Sequence, residues 1–185
     1  MSTSRRSLLA ATAPALASAA GLAPGGAASH ANAPANPRTD PVVRDLIERA
    51  TQAHAALMRG DVASYLTFIT QAEDYTLMSP FGGDPTRGAP YSSERWASIG
   101  RYFRNGRESS LELVEAYRSG DMVVLAAIER THVAVGGLAG QPWALRVTLV
   151  FRKDGDQWRQ VHRHADPLAP GVSLEQAAAL ARGRG

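Results

Sequence analysis

Four consecutive segments in the second half of this chain have the composition of long β-strands, and they constrain the fold more than any other feature. The segments are rich in Val, Leu, Thr and aromatic residues and cover 111–118, 122–135, 143–153 and 157–165. Turn signals at 119–121 and 154–155, and a glycine cluster at 136–140, separate neighbouring segments. We therefore expect the four strands to pair antiparallel as a meander.

The first half of the chain has helical periodicity instead. Apolar residues recur at three- and four-residue steps from residue 40 to residue 58, and Asp40 is placed to cap this helix. Gly60 then ends the helix, and Asp61 opens a shorter second one. The pair is predicted to form an αα-corner.

Further elements lie between and after these regions. A short strand at 74–78 is followed by a helix predicted at 93–104, with the Asn-Gly pair at 105–106 as its terminator. A tail helix is predicted after Ser173, because Ser173 and Gln176 have capping-box spacing. Its apolar face is thin, so we expect it to be peripheral.

This order of elements predicts the fold class α+β. We expect a cone-shaped, curved, mixed or antiparallel sheet, with the three helices of the N-terminal half packed on its concave face. The predicted cone domain covers 40–168, and 169–185 form the tail. About 150 residues remain after an N-terminal leader, which is enough for one hydrophobic core and too few for two ordinary domains.

The N-terminus has the features of a twin-arginine export signal. Arg5 and Arg6 precede a weakly apolar, Ala/Leu-rich run, and no acidic residue occurs before Asp40. We predict a signal peptide at 1–31 and a disordered leader at 32–39, and hence a periplasmic or secreted protein. The alternative interpretation is a flexible N-terminal tail.

Charge and composition argue against several classes of function. Loss of the two signal arginines would lower the formal net charge from +3 to +1, and the chain has no basic stripe for nucleic acid. It has no basic amphipathic helix for a membrane surface. It also has no Cys, and its glycine cluster lacks the spacing of a phosphate loop. We predict no cofactor, no nucleic-acid partner and no membrane contact of the mature form.

The last predicted strand carries the most unusual chemistry. Strict alternation would place Trp158, His162, His164 and Asp166 on one face. We predict that this face lines a small-molecule pocket, with Trp158 as a ligand contact and the other three as candidate acid–base groups. Shared metal ligation by the two imidazoles would need a third ligand, for which His132 is a candidate. We predict hydrogen-bonded pocket or core histidines and no bound metal.

Glu129 is a further catalytic candidate, because this carboxylate directly follows the apolar run 122–128. If Glu129 points inward, it needs a partner such as Arg146. If Arg130 points inward instead, that residue becomes an anion anchor. Whichever of the two faces outward is expected to form a cross-strand surface ion pair.

Arg146 and Thr148 share one face of their strand, opposite the apolar odd-numbered positions. Both are predicted ligand contacts, although the odd positions have more of the character of a core. The polar and the apolar face of this strand can both be covered if helices pack on one face of the sheet and a partner subunit packs on the other. We therefore predict a homodimer.

Three residues outside these strands are also candidate ligand contacts. Tyr75 could offer a phenolic donor, and Trp96 could stack on a flat ligand. Either side chain could equally pack in the core. His54 lies on the apolar stripe of the first helix, where we expect an interior histidine at the cavity wall.

A family resemblance rests on the order of elements, on the segment 145–155 and on Trp158 followed by the Val-His-Arg-His sequence at 161–164. Over roughly 41–168 the chain resembles the nuclear transport factor two-like superfamily, in its SnoaL-like and calcium/calmodulin-kinase association-domain branch. The resemblance implies a conical fold with a pocket between sheet and helices, often dimeric. The association-domain pattern has a Ser where this chain has Asp166.

The resemblance leaves two classes of function open. The superfamily includes ketosteroid isomerase, scytalone dehydratase and polyketide cyclases, as well as non-catalytic binding and assembly modules. The isomerase's constellation of tyrosine and aspartate has no clear match here. We predict an exported protein that binds a small organic molecule in its cone, with isomerase-, dehydratase- or cyclase-type acid–base chemistry left undecided. The alternative is a dimeric binding or assembly module without catalysis.

Overall fold

The computed structural model describes residues 39–88 and 90–182. The helices within them are α1 (Pro41–Met58), α2 (Val62–Phe68), α3 (Ser93–Tyr102) and α4 (Leu174–Ala181). The strands are β1 (Gln71–Met78), β2 (Thr86–Arg87), β3 (Phe103–Ser119), β4 (Met122–Val135), β5 (Gln141–Asp154) and β6 (Gln157–Pro167). The expected signal peptide at 1–31 and nearly all of the leader at 32–39 lie outside the described residues.

The six strands form one sheet in the order β2-β1-β6-β5-β4-β3. Strands β3 to β6 are an antiparallel meander, as predicted, whereas β1 pairs parallel with β6 and antiparallel with β2. The sheet is therefore mixed, and the predicted α+β class with a curved sheet and helices in the N-terminal half is confirmed.

The core lies between α1 and the concave face of the sheet. On α1, Val43, Leu46 and Ala53 are fully buried. They belong to one apolar cluster with alternate sheet residues, which are Val123, Leu125, Ala127, Leu145, Val147, Leu149, Phe151 and Ala165. The odd-numbered positions of β5 are thus core, as their apolar character predicted.

The ends of α1 follow the predicted signals. The carboxylate of Asp40 accepts hydrogen bonds from the backbone N–H groups of Val42 and Val43. At the other end, Gly60 has a φ of +80°, and its N–H donates to the carbonyl of Leu57. The Asp61 N–H reaches back to the carbonyl of Ala56 at 2.9 Å. This Schellman turn lets α2 start at once.

The third helix ends earlier than predicted, because the chain passes directly from Tyr102 into β3. The Asn-Gly pair at 105–106 is not a helix terminator but an irregular part of this strand, where Asn105 has a φ of +59°. Gly106 is needed for packing: a Cβ there would lie 2.5 Å from the backbone carbon of Met58. The predicted strand, which started at residue 111, was therefore too short.

Strand β6 contains a β-bulge that was not predicted. Gln160 pairs with Phe151 of β5, and His162 pairs with Val150, so Val161 is an additional residue on the β6 side. Gln160 before the bulge and Arg163 after it both lie on the concave face, opposite Phe151 and Leu149 respectively. The bulge therefore reverses the alternation of inward and outward residues along the strand.

The tail helix α4 is present and has the predicted capping box between Ser173 and Gln176. None of its residues is buried, and Leu174 and Leu180 remain largely exposed. Among residues 39–88 and 90–182, no helix is both long and apolar enough to span a membrane.

Candidate functional site

A cavity of about 480 Å³ opens beside the core cluster. Most of its wall comes from helices α2 and α3, from strand β1 and from the segment between β1 and α3. Seven aromatic side chains line it: Tyr65, Tyr75, Phe81, Tyr91, Trp96, Tyr102 and Phe103. This volume is within the range of roughly 300–1,000 Å³ that is usual for small-molecule sites.

Several of the aromatic rings form a connected wall. The ring centroids of Tyr65 and Trp96 are 5.4 Å apart, those of Trp96 and Tyr91 are 5.2 Å apart, and those of Tyr91 and Tyr75 are 6.4 Å apart. Such contacts favour tilted or edge-on rings and restrict their movement. The wall therefore offers a rigid apolar surface to a ligand.

The base of the cavity contains a buried ion pair. The guanidinium of Arg163 donates two hydrogen bonds to the carboxylate of Glu129, at 2.8 and 2.6 Å. The Glu129 side chain is only 2% exposed, and His54 Nδ1 lies 3.3 Å from its Oε2. His54 Nε2 lies 3.4 Å from the carbonyl oxygen of Arg130. Helix α1 and strands β4 and β6 thus each contribute one side chain to a buried triad, His54–Glu129–Arg163.

The protonation states of the triad follow from burial and charge. Burial opposes ionisation of Glu129, but the charge of Arg163, the nearby His54 and the Arg163 hydrogen bonds together lower the pKa of Glu129 from 4.5 to about 2. Burial lowers the pKa of His54, and the raising effect of Glu129 does not cancel it. The triad therefore holds an ionised carboxylate, a guanidinium and a neutral imidazole at neutral pH.

Two tyrosines of the cavity wall lie near the triad. Burial raises the pKa of Tyr65 to about 12, with smaller effects from Arg163 and Glu129. Burial also raises the pKa of Tyr75, whose side chain is almost fully buried. Both phenols stay protonated at neutral pH, and each interacts with the side chain of Gln71. They are therefore available as hydrogen-bond donors.

A smaller, partly polar chamber of about 40 Å³ shares Arg163 with the large cavity. His54, Glu129, Gln160 and Arg163 are among its lining residues. Gln160 Oε1 is buried there, without a hydrogen-bond partner among the described residues. A chamber of this size and polarity has room for an ordered water molecule that could satisfy this oxygen.

The sequence matches one known protein family. The model of the SnoaL-like domain family matches residues 46–170. The chain belongs to this family. No functionally curated protein matches the sequence significantly.

Solved structures similar to this SnoaL-like domain include three from different organisms. The hub homology domain of calcium/calmodulin-dependent kinase II from Chlamydomonas reinhardtii is 17% identical, with a TM-score of 0.54, over 69% of this chain and 99% of that one. A nuclear transport factor 2-like superfamily protein from Salmonella enterica is 16% identical, with a TM-score of 0.56, over 71% and 94%. A cystatin-like protein from Nostoc punctiforme is 17% identical, with a TM-score of 0.53, over 73% and 97%. At these identities the likeness supports the fold alone.

Four predicted site residues of the SnoaL-like domain lie at the cavity or its base. Tyr75 and Trp96 line the cavity directly, and His54 and Glu129 form the triad behind it. The inward position of Glu129 was one of two possibilities, but its partner is Arg163 and not Arg146. Arg130 faces outward, where its Nε lies 3.8 Å from Glu112, as expected of a cross-strand surface pair.

The histidines of β6 do not face the cone. After the bulge at Val161, alternation places His162, His164 and Asp166 on the outer face of the sheet, where they pair with outward residues of β5. His162 Nδ1 lies 2.7 Å from Thr76 Oγ1, and His164 Nε2 lies 3.2 Å from Asp166 Oδ1. The prediction that these three residues line the pocket was wrong, because strict alternation does not hold through a bulge.

Three further predicted ligand contacts also lie away from the cavity. Arg146 and Thr148 face outward on β5, opposite Asp166 and His164, and Arg146 Nη2 lies 3.2 Å from Asp166 Oδ2. Trp158 precedes the bulge and packs against the core cluster on the other face, outside the cavity lining. None of the three has the predicted place at the cavity.

Arg163 and Arg95 are the charged residues of the cavity lining that were not predicted, and five of its aromatic residues, Tyr65, Phe81, Tyr91, Tyr102 and Phe103, were not predicted either. Arg163 lies between two histidines and follows the bulge, so strict alternation assigns it to the outer face. A signal for its true position was available, since a carboxylate buried in an apolar strand requires a cation nearby.

Among residues 39–88 and 90–182, no cluster of His, Asp and Glu has the arrangement of a metal site.

Proposed function

We propose that this SnoaL-like domain binds a flat, mainly apolar organic molecule that carries an oxygen acceptor. The observation that carries this proposal is the cavity of about 480 Å³, whose wall is formed by seven aromatic side chains and whose base adjoins buried donors. Aromatic side chains can stack on a planar ligand. Because these rings are already fixed by contact with one another, little side-chain entropy is lost on binding.

The polar groups at the base are hydrogen-bond donors. They therefore match a ligand with an acceptor oxygen better than a ligand from which a proton is to be removed. Tyr65 and Tyr75 are protonated phenols, and Arg163 is a cation. Each can donate to a carbonyl, hydroxyl or ether oxygen of the ligand. A ligand oxygen in this position would satisfy donors that lie away from bulk water, which favours its binding over that of a pure hydrocarbon.

Catalysis by proton transfer is supported less well. Glu129 has a pKa of about 2 and is held by two hydrogen bonds from Arg163, so it is a weak general base. Neutral His54 is the stronger base, but it lines the small chamber and not the large cavity. We therefore propose ligand binding and assign no reaction.

Titration with a matched ligand pair tests the binding proposal. Acetylnaphthalene and ethylnaphthalene have almost the same shape, and only the first has an acceptor oxygen. We expect the wild-type domain to bind acetylnaphthalene about three- to tenfold more tightly, the value of one net hydrogen bond. Ile99→Trp, which fills the cavity, should abolish binding of both compounds, whereas Val172→Trp at an exposed position should not. Equal binding by Ile99→Trp would refute the proposal.

We also propose a homodimer that uses the outer face of the sheet, which supports the alternative role as an assembly module. Apolar side chains on this face alternate with buried ones, and they include Val124, Ala126, Ile128, Ala144 and Val150. Tyr117, at the β3 edge, is 60% exposed. Polar side chains such as Arg146 and Thr148 lie between these apolar ones, and such a mixture of apolar and polar groups is usual in subunit interfaces.

The dimer proposal predicts the effect of one charge introduced on the outer face. Val124→Lys should convert a dimer to a monomer, because an unpaired ammonium would be buried in the interface. Gln52→Lys on the exposed surface of α1 is the control and should stay dimeric. Light scattering measures the mass of each variant. A monomeric wild-type chain at micromolar concentration would contradict the proposal.

We further propose that the protein is exported by the twin-arginine route. The support is the paired Arg5 and Arg6 before an uncharged, alanine-rich run. Cell fractionation of the Arg5→Lys, Arg6→Lys double variant tests it. The variant should remain with the cytosol, and its export in normal amounts would overturn the proposal.

A further inference from the structure

Arg95 lies at the mouth of the cavity and is held in place by two neighbours. It lies in the first turn of helix α3, and its side chain is exposed. Its guanidinium carbon lies 3.9 Å from the centre of the Tyr91 ring, and its Nη2 donates to Thr86 Oγ1 at 3.4 Å. Stacking of this kind orients the planar guanidinium and leaves other N–H groups available.

The charges of the cavity lining are not balanced. Its charged side chains are Arg95 and Arg163. The charge of Arg163 is matched by Glu129, which occupies two of its donors. Within residues 39–88 and 90–182, no carboxylate forms an ion pair with Arg95. The mouth therefore carries a positive charge that the protein itself does not neutralise.

We propose that the ligand carries a carboxylate, and that this carboxylate binds Arg95 at the mouth while the planar ring lies inside. This inference rests on the proposed binding function and specifies the class of ligand and its orientation. A guanidinium recognises a carboxylate through paired N–H groups, and Arg95 is already ordered by Tyr91 and Thr86. At the mouth both charges keep part of their hydration, so the desolvation cost is small.

The opposite orientation is disfavoured by the buried triad. A ligand carboxylate at the base would lie close to the ionised Glu129, and like charges in a buried site repel strongly. It would also compete with Glu129 for the same donors of Arg163. A neutral acceptor at the base and an acid at the mouth satisfy both ends of the cavity.

Pairs of acids and amides on the same ring test this inference. We would titrate wild-type protein with benzoate and benzamide, naphthoate and naphthamide, and biphenylcarboxylate and biphenylcarboxamide. For the ring that fits, the acid should bind about three- to tenfold more tightly than the amide, as for one partly solvated charge-assisted contact. Added salt should weaken binding of the acid and leave that of the amide unchanged.

Variants locate the effect. Arg95→Gln should remove the preference for the acid and leave binding of the amide intact, and Arg95→Lys should retain part of the preference. Arg101→Gln removes an exposed arginine of the same helix that is not in the cavity lining, and it should behave as wild type.

The outcomes separate this inference from the function on which it rests. Equal binding of acid and amide by the wild type, or an acid preference that survives in Arg95→Gln, would overturn the role of Arg95 and leave the binding proposal standing. The salt dependence gives the same information without a variant. Absence of binding by every compound, amides included, would overturn both.

Discussion

Replacement of Arg163 with methionine is expected to destabilise the fold by about 3–5 kcal/mol, which is the usual cost of leaving one partner of a buried ion pair alone. Glu129 would lose both hydrogen bonds from Arg163 and would keep only the contact with His54. Urea denaturation of wild-type and Arg163→Met protein measures the difference in the free energy of unfolding.

Two control variants make this prediction specific to the buried pair. Arg152→Met also removes an arginine bonded to carboxylates, those of Asp74 and Asp154, but on the surface, so its effect should be far smaller. The double variant Glu129→Leu, Arg163→Met removes both charges and should recover most of the lost stability. If Arg163→Met costs no more than Arg152→Met, Glu129 is not dependent on Arg163.

The same variant should change how stability depends on pH. Because the folded-state pKa of Glu129 is lowered from 4.5 to about 2, its ionisation stabilises the wild-type fold above about pH 4.5, and this contribution is lost as the pH falls toward 2. In Arg163→Met, burial without the cation would raise the pKa of Glu129, and the loss from this group over the same interval should disappear.

Gly60→Ala is expected to destabilise the fold by about 2–4 kcal/mol, for two additive reasons. A non-glycine residue is strained at a φ of +80°, and its Cβ would lie 2.5 Å from the carbonyl oxygen of Gly100. A backbone oxygen cannot move aside as a flexible side chain can. The turn between α1 and α2, which sets the position of Tyr65, would have to shift. Thermal denaturation followed by circular dichroism measures the effect.

Gly83→Ala separates the two causes. Gly83 has almost the same φ, +81°, but a Cβ there would meet no atom within 4 Å. It should therefore cost only the conformational part, about 1 kcal/mol. Similar losses of stability in the two variants would show that the close approach of Gly60 to Gly100 contributes nothing.

The regular parts of the fold were predictable because one period dominates each of them. Apolar alternation in 122–135 predicts β4 to the residue, and Asp40 and Asp61 predict the starts of two helices. Strand β3 was predicted too short since it lies at the sheet edge, where residues 104–110 are polar and mostly exposed. An edge strand does not require two faces of different polarity.

The candidate site was predictable only in part. The inward position of Glu129 follows from its apolar neighbours, but Arg163 as its partner depends on one unpaired residue of β6. No residue near Val161 is a glycine or proline that would indicate a bulge. Arg95 belongs to an exposed helix surface by its sequence neighbours, and only the folded chain brings it to the cavity mouth.

The additional residue in β6 has a consequence for transfer of function between relatives. In a homologue that has the same spacing along this strand but no bulge, strict alternation would point the residues aligned with His162 and His164 into the cone and the residue aligned with Arg163 to the outer face of the sheet. Two proteins with the same histidine motif could thus present opposite chemistries to a ligand. Roles of individual side chains in this family must be compared by hydrogen-bonded register, because matching letters along an alignment selects the wrong face.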